Sequence, residues 1–276
     1  MAVTAKAKDY SEIARQRIVR PANDTRKPKI LVYARNKKGK TTFGLSAGVE
    51  KTLVLDPENG TAEMRTKNPH VWPIDRWEDL DDAYNFLRHE KHQYDWVNVD
   101  GLTKFSNMSL KYVMKLQEEK SLDRIPGMVQ QRDYGKSGEL MKDMLTRFHN
   151  LDMGVIFTAQ ERQEDGFDSE EDEDSEEAGS AYVPDMPKAV RGYANSIVDV
   201  IGRLYVIKNA EGKAERRLWI GESIKYDTGY RSDFVLPDYL RLPTVPKLVR
   251  LIRTGNAALP KAAATKAATP KAAVSK

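Results

Sequence analysis

Nine consecutive residues carry the clearest chemistry in this chain: Ala34, Arg35, Asn36, Lys37, Lys38, Gly39, Lys40, Thr41 and Thr42. A glycine followed by lysine and threonine suits a loop that grips phosphate. Backbone N–H groups around Gly39 would cradle the anion, and a helix opening at Lys40 would add its dipole. Lys40 would reach the terminal phosphates of ATP, and Thr41 would offer its hydroxyl to Mg²⁺. The pattern departs from a full Walker A loop at one place, where Ala34 stands for the first glycine. Such a loop must follow a buried strand and open a helix.

Three further residues fit the same chemistry. Asp100 ends the run Val97-Asn98-Val99-Asp100, where a carboxylate at a strand's carboxyl end could hold the Mg²⁺ shell. It could equally cap a helix beginning at 101–103. Glu58 follows Leu53-Val54-Leu55-Asp56-Pro57 and could orient or deprotonate the water that attacks a γ-phosphate. Gln160 leaves the apolar run 154–159 as a neutral group able to sense that phosphate.

The elements that would position these residues follow from hydropathy. Apolar runs predict strands over 29–33, 52–55, 96–99, 154–158, 201–207 and 217–220. Amphipathic segments between them predict helices over 40–48, 77–90, 103–120, 138–150 and 186–198, after a lead-in helix over 10–19. Alternation of strand and helix implies an α/β fold with a mainly parallel sheet. Residues 1–27 read as a lead-in, 28–253 as one domain and 254–276 as a flexible tail.

Composition narrows the function. The chain has no cysteine, which removes disulfides and thiolate chemistry, and it has only four histidines. It also lacks an apolar stretch long enough to span a membrane or a signal-peptide core, so a soluble protein of the cytoplasm is expected. Ten acidic residues and no basic one fall in 164–177, so a net charge of +4 leaves +14 on the rest. That body favours polyanions, while the acidic run, about 163–180, predicts a disordered insertion.

In their order, the loop at Lys40, the DPE at Glu58, the VNVD at Asp100 and the TAQ at Gln160 resemble the RecA-like P-loop NTPase core. The chain is most similar to the short phage RecA-core ATPases of the Sak type, over roughly 28–252. The resemblance implies an Mg²⁺-dependent, DNA-dependent ATP hydrolase that forms a ring or filament and binds single-stranded DNA. It would promote annealing or strand exchange in recombination, alongside a single-strand-binding protein and in the host's cytoplasm if phage-encoded. Lys40 and Thr41 would bind phosphate and Mg²⁺, Asp100 would be the Walker B acid, Glu58 the catalytic carboxylate and Gln160 the sensor. A motor or loader on the same core, and a nucleotide-gated DNA-binding module with little turnover, remain as alternatives.

The resemblance also implies DNA-facing segments. The stretch 125–135 mixes amide, cationic and aromatic groups, so Arg132 could meet phosphate and Tyr134 a base; a surface loop packing Met128 and Tyr134 is the other reading. Arg231 is the candidate cation for a neighbouring subunit's nucleotide. Lys261, Lys266, Lys271 and Lys276 would make the tail a cationic arm for phosphates.

Overall fold

A computed structural model describes residues 9–18, 25–121, 123–164 and 181–258. Most of the acidic run, the four tail lysines and the last predicted residue of the lead-in helix lie outside them.

The central strand is β1 (Lys29–Ala34), six residues long and buried throughout. On one side it pairs in parallel with β5 (Gly154–Glu164), then β4 (Trp96–Asp100), β2 (Thr52–Asp56) and β3 (His70–Pro73). On the other it pairs in parallel with β7 (Val200–Lys208), which continues antiparallel into β8 (Ala214–Trp219) and β10 (Tyr239–Arg241). Two short strands complete the sheet: β6 (Ala181–Pro184) against the outer half of β5, and β9 (Gly229–Tyr230) against β7. This is the mainly parallel, RecA-like core the sequence implies.

Alternation along the strands buries both faces. Leu31, Tyr33, Val97, Val99, Val155 and Phe157 face one core. It is closed by α3 (Asp79–His89), α4 (Leu102–Lys120), α5 (Gln131–His149) and α6 (Lys188–Ile197). Ile30, Val32, Ala34 and Ile156 face a second core closed by α2 (Lys40–Leu45) and α7 (Val245–Thr254). The remaining helix is α1 (Tyr10–Arg17) in the lead-in. None of the helices among the described residues is long and apolar enough to cross a membrane.

Two boundaries differ from expectation for reasons that matter below. β5 runs on to Glu164 instead of stopping near residue 158, because its outer half finds an antiparallel partner in β6. Glu164, expected in the disordered insertion, is therefore structured and bonded to Arg191 at 2.8 Å. α5 begins at Gln131, not 138. Gln130 and Asp133 form a reciprocal capping box, and Arg124 holds the buried Asp133 carboxylate in a bidentate pair. Arg132 and Tyr134 consequently sit on a helix, and not in a surface loop.

Candidate functional site

β1 delivers the loop at its carboxyl end. Ala34 is buried, pairs in register with Gln160 and keeps a negative φ, so no glycine is required there. The left-handed positions come later, at Lys37 (φ 60°) and Gly39 (φ 96°). The Phe43 N–H donates to the Gly39 carbonyl at 2.9 Å, starting the helical turn that follows. Further along, a Cβ on Gly44 would stand 2.7 Å from the Asn98 side-chain nitrogen, so a bare glycine lets α2 lie directly on β4.

That close approach sets Thr41 against Asp100. The Thr41 hydroxyl donates to one carboxylate oxygen at 2.5 Å, and the Thr158 hydroxyl donates to the other at 2.5 Å. Burial raises the Asp100 pKa above the ordinary range, with the two hydroxyls opposing. The helix after it is capped by Gly101 with no side-chain bond, so Asp100 is not serving as its N-cap.

Lys40 shares the site. Its ammonium donates to the Ala34 carbonyl at 3.2 Å. Burial lowers its pKa, and the charges of Asp100, Glu58 and Glu161 pull the other way.

Glu58 reaches the same neighbourhood from β2. Buried Asp56 accepts from the backbone N–H groups of Glu58 (3.0 Å), Gly60 (3.2 Å) and Thr61 (2.9 Å), which fixes the turn. The Glu58 carboxylate itself is solvent-exposed and makes no hydrogen bond or ion pair among the described residues.

Gln160 joins three elements. Its N–H donates to Thr103 Oγ1 at 3.0 Å, and its carbonyl accepts from the Asp185 N–H at 2.8 Å, while Thr103 Oγ1 donates to the Asp185 carbonyl at 2.8 Å. The strand after the loop's neighbour is thus tied to α4 and to the end of β6.

Several side chains at the site went unread in the sequence. Thr158 had a signal, standing two residues before Gln160 on the same strand face. Glu161, buried beside the loop, is paired to Arg203 at 2.6 Å and approached by Arg35 at 3.3 Å. Arg216 had no local signal. From β8 its Nε donates to the Lys38 carbonyl at 3.0 Å, and its guanidinium occupies the space a Gly39 Cβ would need, 2.8 Å away.

Other candidates lie elsewhere. Arg132 and Tyr134 are exposed on the first turn of α5, beside exposed Ile125, Met128 and Val129; Met128 and Tyr134 do not pack into the domain. Arg231 sits by the amino end of β1, bonded to the Ser196 carbonyl and 3.8 Å from Asp199. A six-residue strand separates that end from the loop, about 17 Å.

The donor set fits Mg²⁺. Among the described residues no group of three or more His, Asp or Glu forms a protein cage for a metal. One hydroxyl and one carboxylate beside the loop at Gly39 suit an ion that keeps water and substrate oxygens in its shell.

A family model described as an AAA domain matches residues 26–232. None of the curated proteins matches the chain. Among solved structures, a KaiC-like protein from the hyperthermophilic archaeon Pyrococcus horikoshii is similar at 10% identity and a TM-score of 0.41, over 79% of this chain and 90% of that one.

Proposed function

Because the chain belongs to the AAA domain family and carries a P-loop ATPase core, we propose that it is an Mg²⁺-dependent ATP hydrolase acting on single-stranded DNA. The observation that carries the catalytic part is the 2.5 Å bond from Thr41 to Asp100, which brings a loop hydroxyl and a strand-end carboxylate to one point beside Lys40. On binding ATP, Lys40 exchanges the Ala34 carbonyl for phosphate oxygens. Thr41 and Asp100 would hold Mg²⁺, and the ion would neutralise charge on the phosphates. Glu58, with no competing partner among the described residues, orients the attacking water and takes its proton. Gln160 reports the state of the γ-phosphate through Thr103 and Asp185 to β6, which leads back to the acidic run.

The DNA part rests on different observations. The +14 outside 164–177 favours a polyanion, and Arg132 and Tyr134 stand exposed with three apolar neighbours, a combination suited to phosphate and unstacked bases. With the resemblance to Sak-type ATPases, this supports an oligomer that promotes annealing or strand exchange. The test is ATP turnover against single-stranded DNA concentration, with annealing of naked complementary strands measured in parallel. Turnover without stimulation by DNA would remove the DNA part and keep the hydrolase; stimulation without annealing would favour a motor or loader.

A further inference from the structure

At the end of the sheet remote from Lys40, a cavity of about 510 Å³ opens between the lead-in, the end of α5, β9 and the last turn of α7. Five cations line it, Arg26, Lys27, Lys29, Arg231 and Arg253, against the carboxylates Asp152 and Asp199, leaving three positive charges in excess. None of the aromatic residues Phe, Tyr or Trp lines it. We propose that this cleft is a phosphodiester-binding site for single-stranded nucleic acid, gripped by Arg231 and Arg253. The proposal rests on the DNA-binding reading above and gives it a second contact surface.

The five cations are not equivalent. Lys29 is buried and spends its ammonium on the Leu151 and Met153 carbonyls, at 2.8 and 2.6 Å, so it shapes the floor. Lys27 is paired with Asp95 at 2.7 Å. Arg231 and Arg253 both have spare donors. Arg231 is anchored through its backbone N–H to the Asp199 carbonyl at 2.8 Å and through one side-chain nitrogen to the Ser196 carbonyl, with a second nitrogen 3.8 Å from the Asp199 carboxylate. Arg253 donates once, to the Arg26 carbonyl. Each guanidinium carries five N–H donors, so most of both forks is left for a ligand among the described residues. Anchored guanidinium forks match phosphate oxygens in pairs and lose little freedom on binding.

Size and chemistry select the ligand. A single phosphate would fill little of such a cavity, whereas a sugar–phosphate unit fits its scale. With no Phe, Tyr or Trp in its lining and the half-buried His149 its one ring, the cleft is dominated by guanidinium groups that read backbone more than bases, so binding should depend little on sequence.

The experiment uses full-length protein and a labelled oligothymidylate across a salt series. Replacing Arg231→Ala and Arg253→Ala together should lower the slope of log affinity against log salt by about 1.4, two contacts at about 0.7 each, with ATP affinity unchanged. The double lysine variant keeps the charge and should keep the slope. If the double alanine protein melts early, Arg253→Glu alone, at an exposed position on α7, should still weaken binding. Wild-type protein that binds DNA with a slope unmoved by these changes overturns the cleft and spares the DNA reading. Wild-type protein that binds no DNA overturns both. Loss of turnover in the assembled protein with the slope intact would instead assign Arg231 to a neighbour's nucleotide, and would also overturn the proposal.

Discussion

Lys40 and Asp100 are opposite charges that burial makes uncomfortable in opposite directions, the ammonium's pKa pushed down and the carboxyl's pushed up. An arrangement of that kind favours a bound ligand that supplies the missing charge, here phosphate for one and Mg²⁺ for the other. Lys40→Ala should therefore abolish nucleotide binding and turnover and leave the melting temperature nearly unchanged, since only one 3.2 Å bond to Ala34 is lost. Titration with a fluorescent ATP analogue and a thermal melt check both halves. Glu58→Gln should keep ATP affinity and slow turnover by roughly 10²- to 10⁴-fold, the usual contribution of a general base; a weakened affinity at normal turnover would make Glu58 structural. Above 3.8 the native state holds more protons than the unfolded chain, so ionising Asp100 as pH rises costs stability. Asp100→Asn should then raise the melting temperature of the ligand-free protein at neutral pH, by about 2–4 °C for each kcal/mol relieved, while destroying Mg²⁺-dependent ATP binding. In the wild type, Mg²⁺-dependent affinity should fall as the pH is lowered toward that raised pKa, because a proton takes the metal's place.

At the scale of elements, α5 shows where local rules and tertiary structure diverge. Gly135 and Gly138 lie inside it, and each costs a helix interior about 1 kcal/mol relative to alanine, which is why the periodic pattern reads as beginning at 138. Long-range partners offset that cost. Arg124 pairs with Asp133, and Ser109 and Ser137 meet at 2.6 Å across the contact with α4. Arg124→Met should destabilise the protein, lowering the denaturation midpoint, because it strands the Asp133 carboxylate without its cation. The double variant with Asp133→Leu should recover most of the loss in a denaturant melt; equal losses in single and double variants would mean the pair is not what holds the turn. The same division explains how far the site was legible. The phosphate loop, Asp100 and Glu58 sit at or just past strand ends, and Gln160 ends the apolar part of β5; all of these positions follow from apolar runs. Thr158 was hidden in such a run, Glu161 lies in the polar stretch that follows it, and Arg216 meets Lys38 across 178 positions of sequence, a proximity that only the β7–β8–β10 extension creates. α7, although amphipathic and capped by Thr244 and Gly255, is short and runs directly into the low-complexity tail, which blurs its periodic pattern.

Over the whole molecule, charge is segregated more sharply than fold requires. The acidic run leaves the sheet between Glu164 and Ala181, on the β5–β6 pair that Gln160 is tied into, while the lysine tail leaves α7 beside the cleft holding Arg231 and Arg253. Neither segment belongs to the described residues, and their composition alone makes the prediction. Truncation after Gly255 removes Lys261, Lys266, Lys271 and Lys276 and should reduce the salt slope of single-stranded DNA binding by up to about 3, at about 0.7 per lost contact. Replacing 170–177 with a neutral linker removes seven carboxylates. If the acidic run competes with DNA for the tail, that replacement should tighten binding more in the full-length protein than in the truncated one. Two segments acting independently would give additive changes, since sites without shared partners add to within about 0.3–0.5 kcal/mol. Affinities of the four proteins at several salt concentrations decide it. A coupling larger than that margin, shrinking as salt screens the attraction, is the expected result; additive changes would leave the tail a plain tether and the acidic run without influence on DNA.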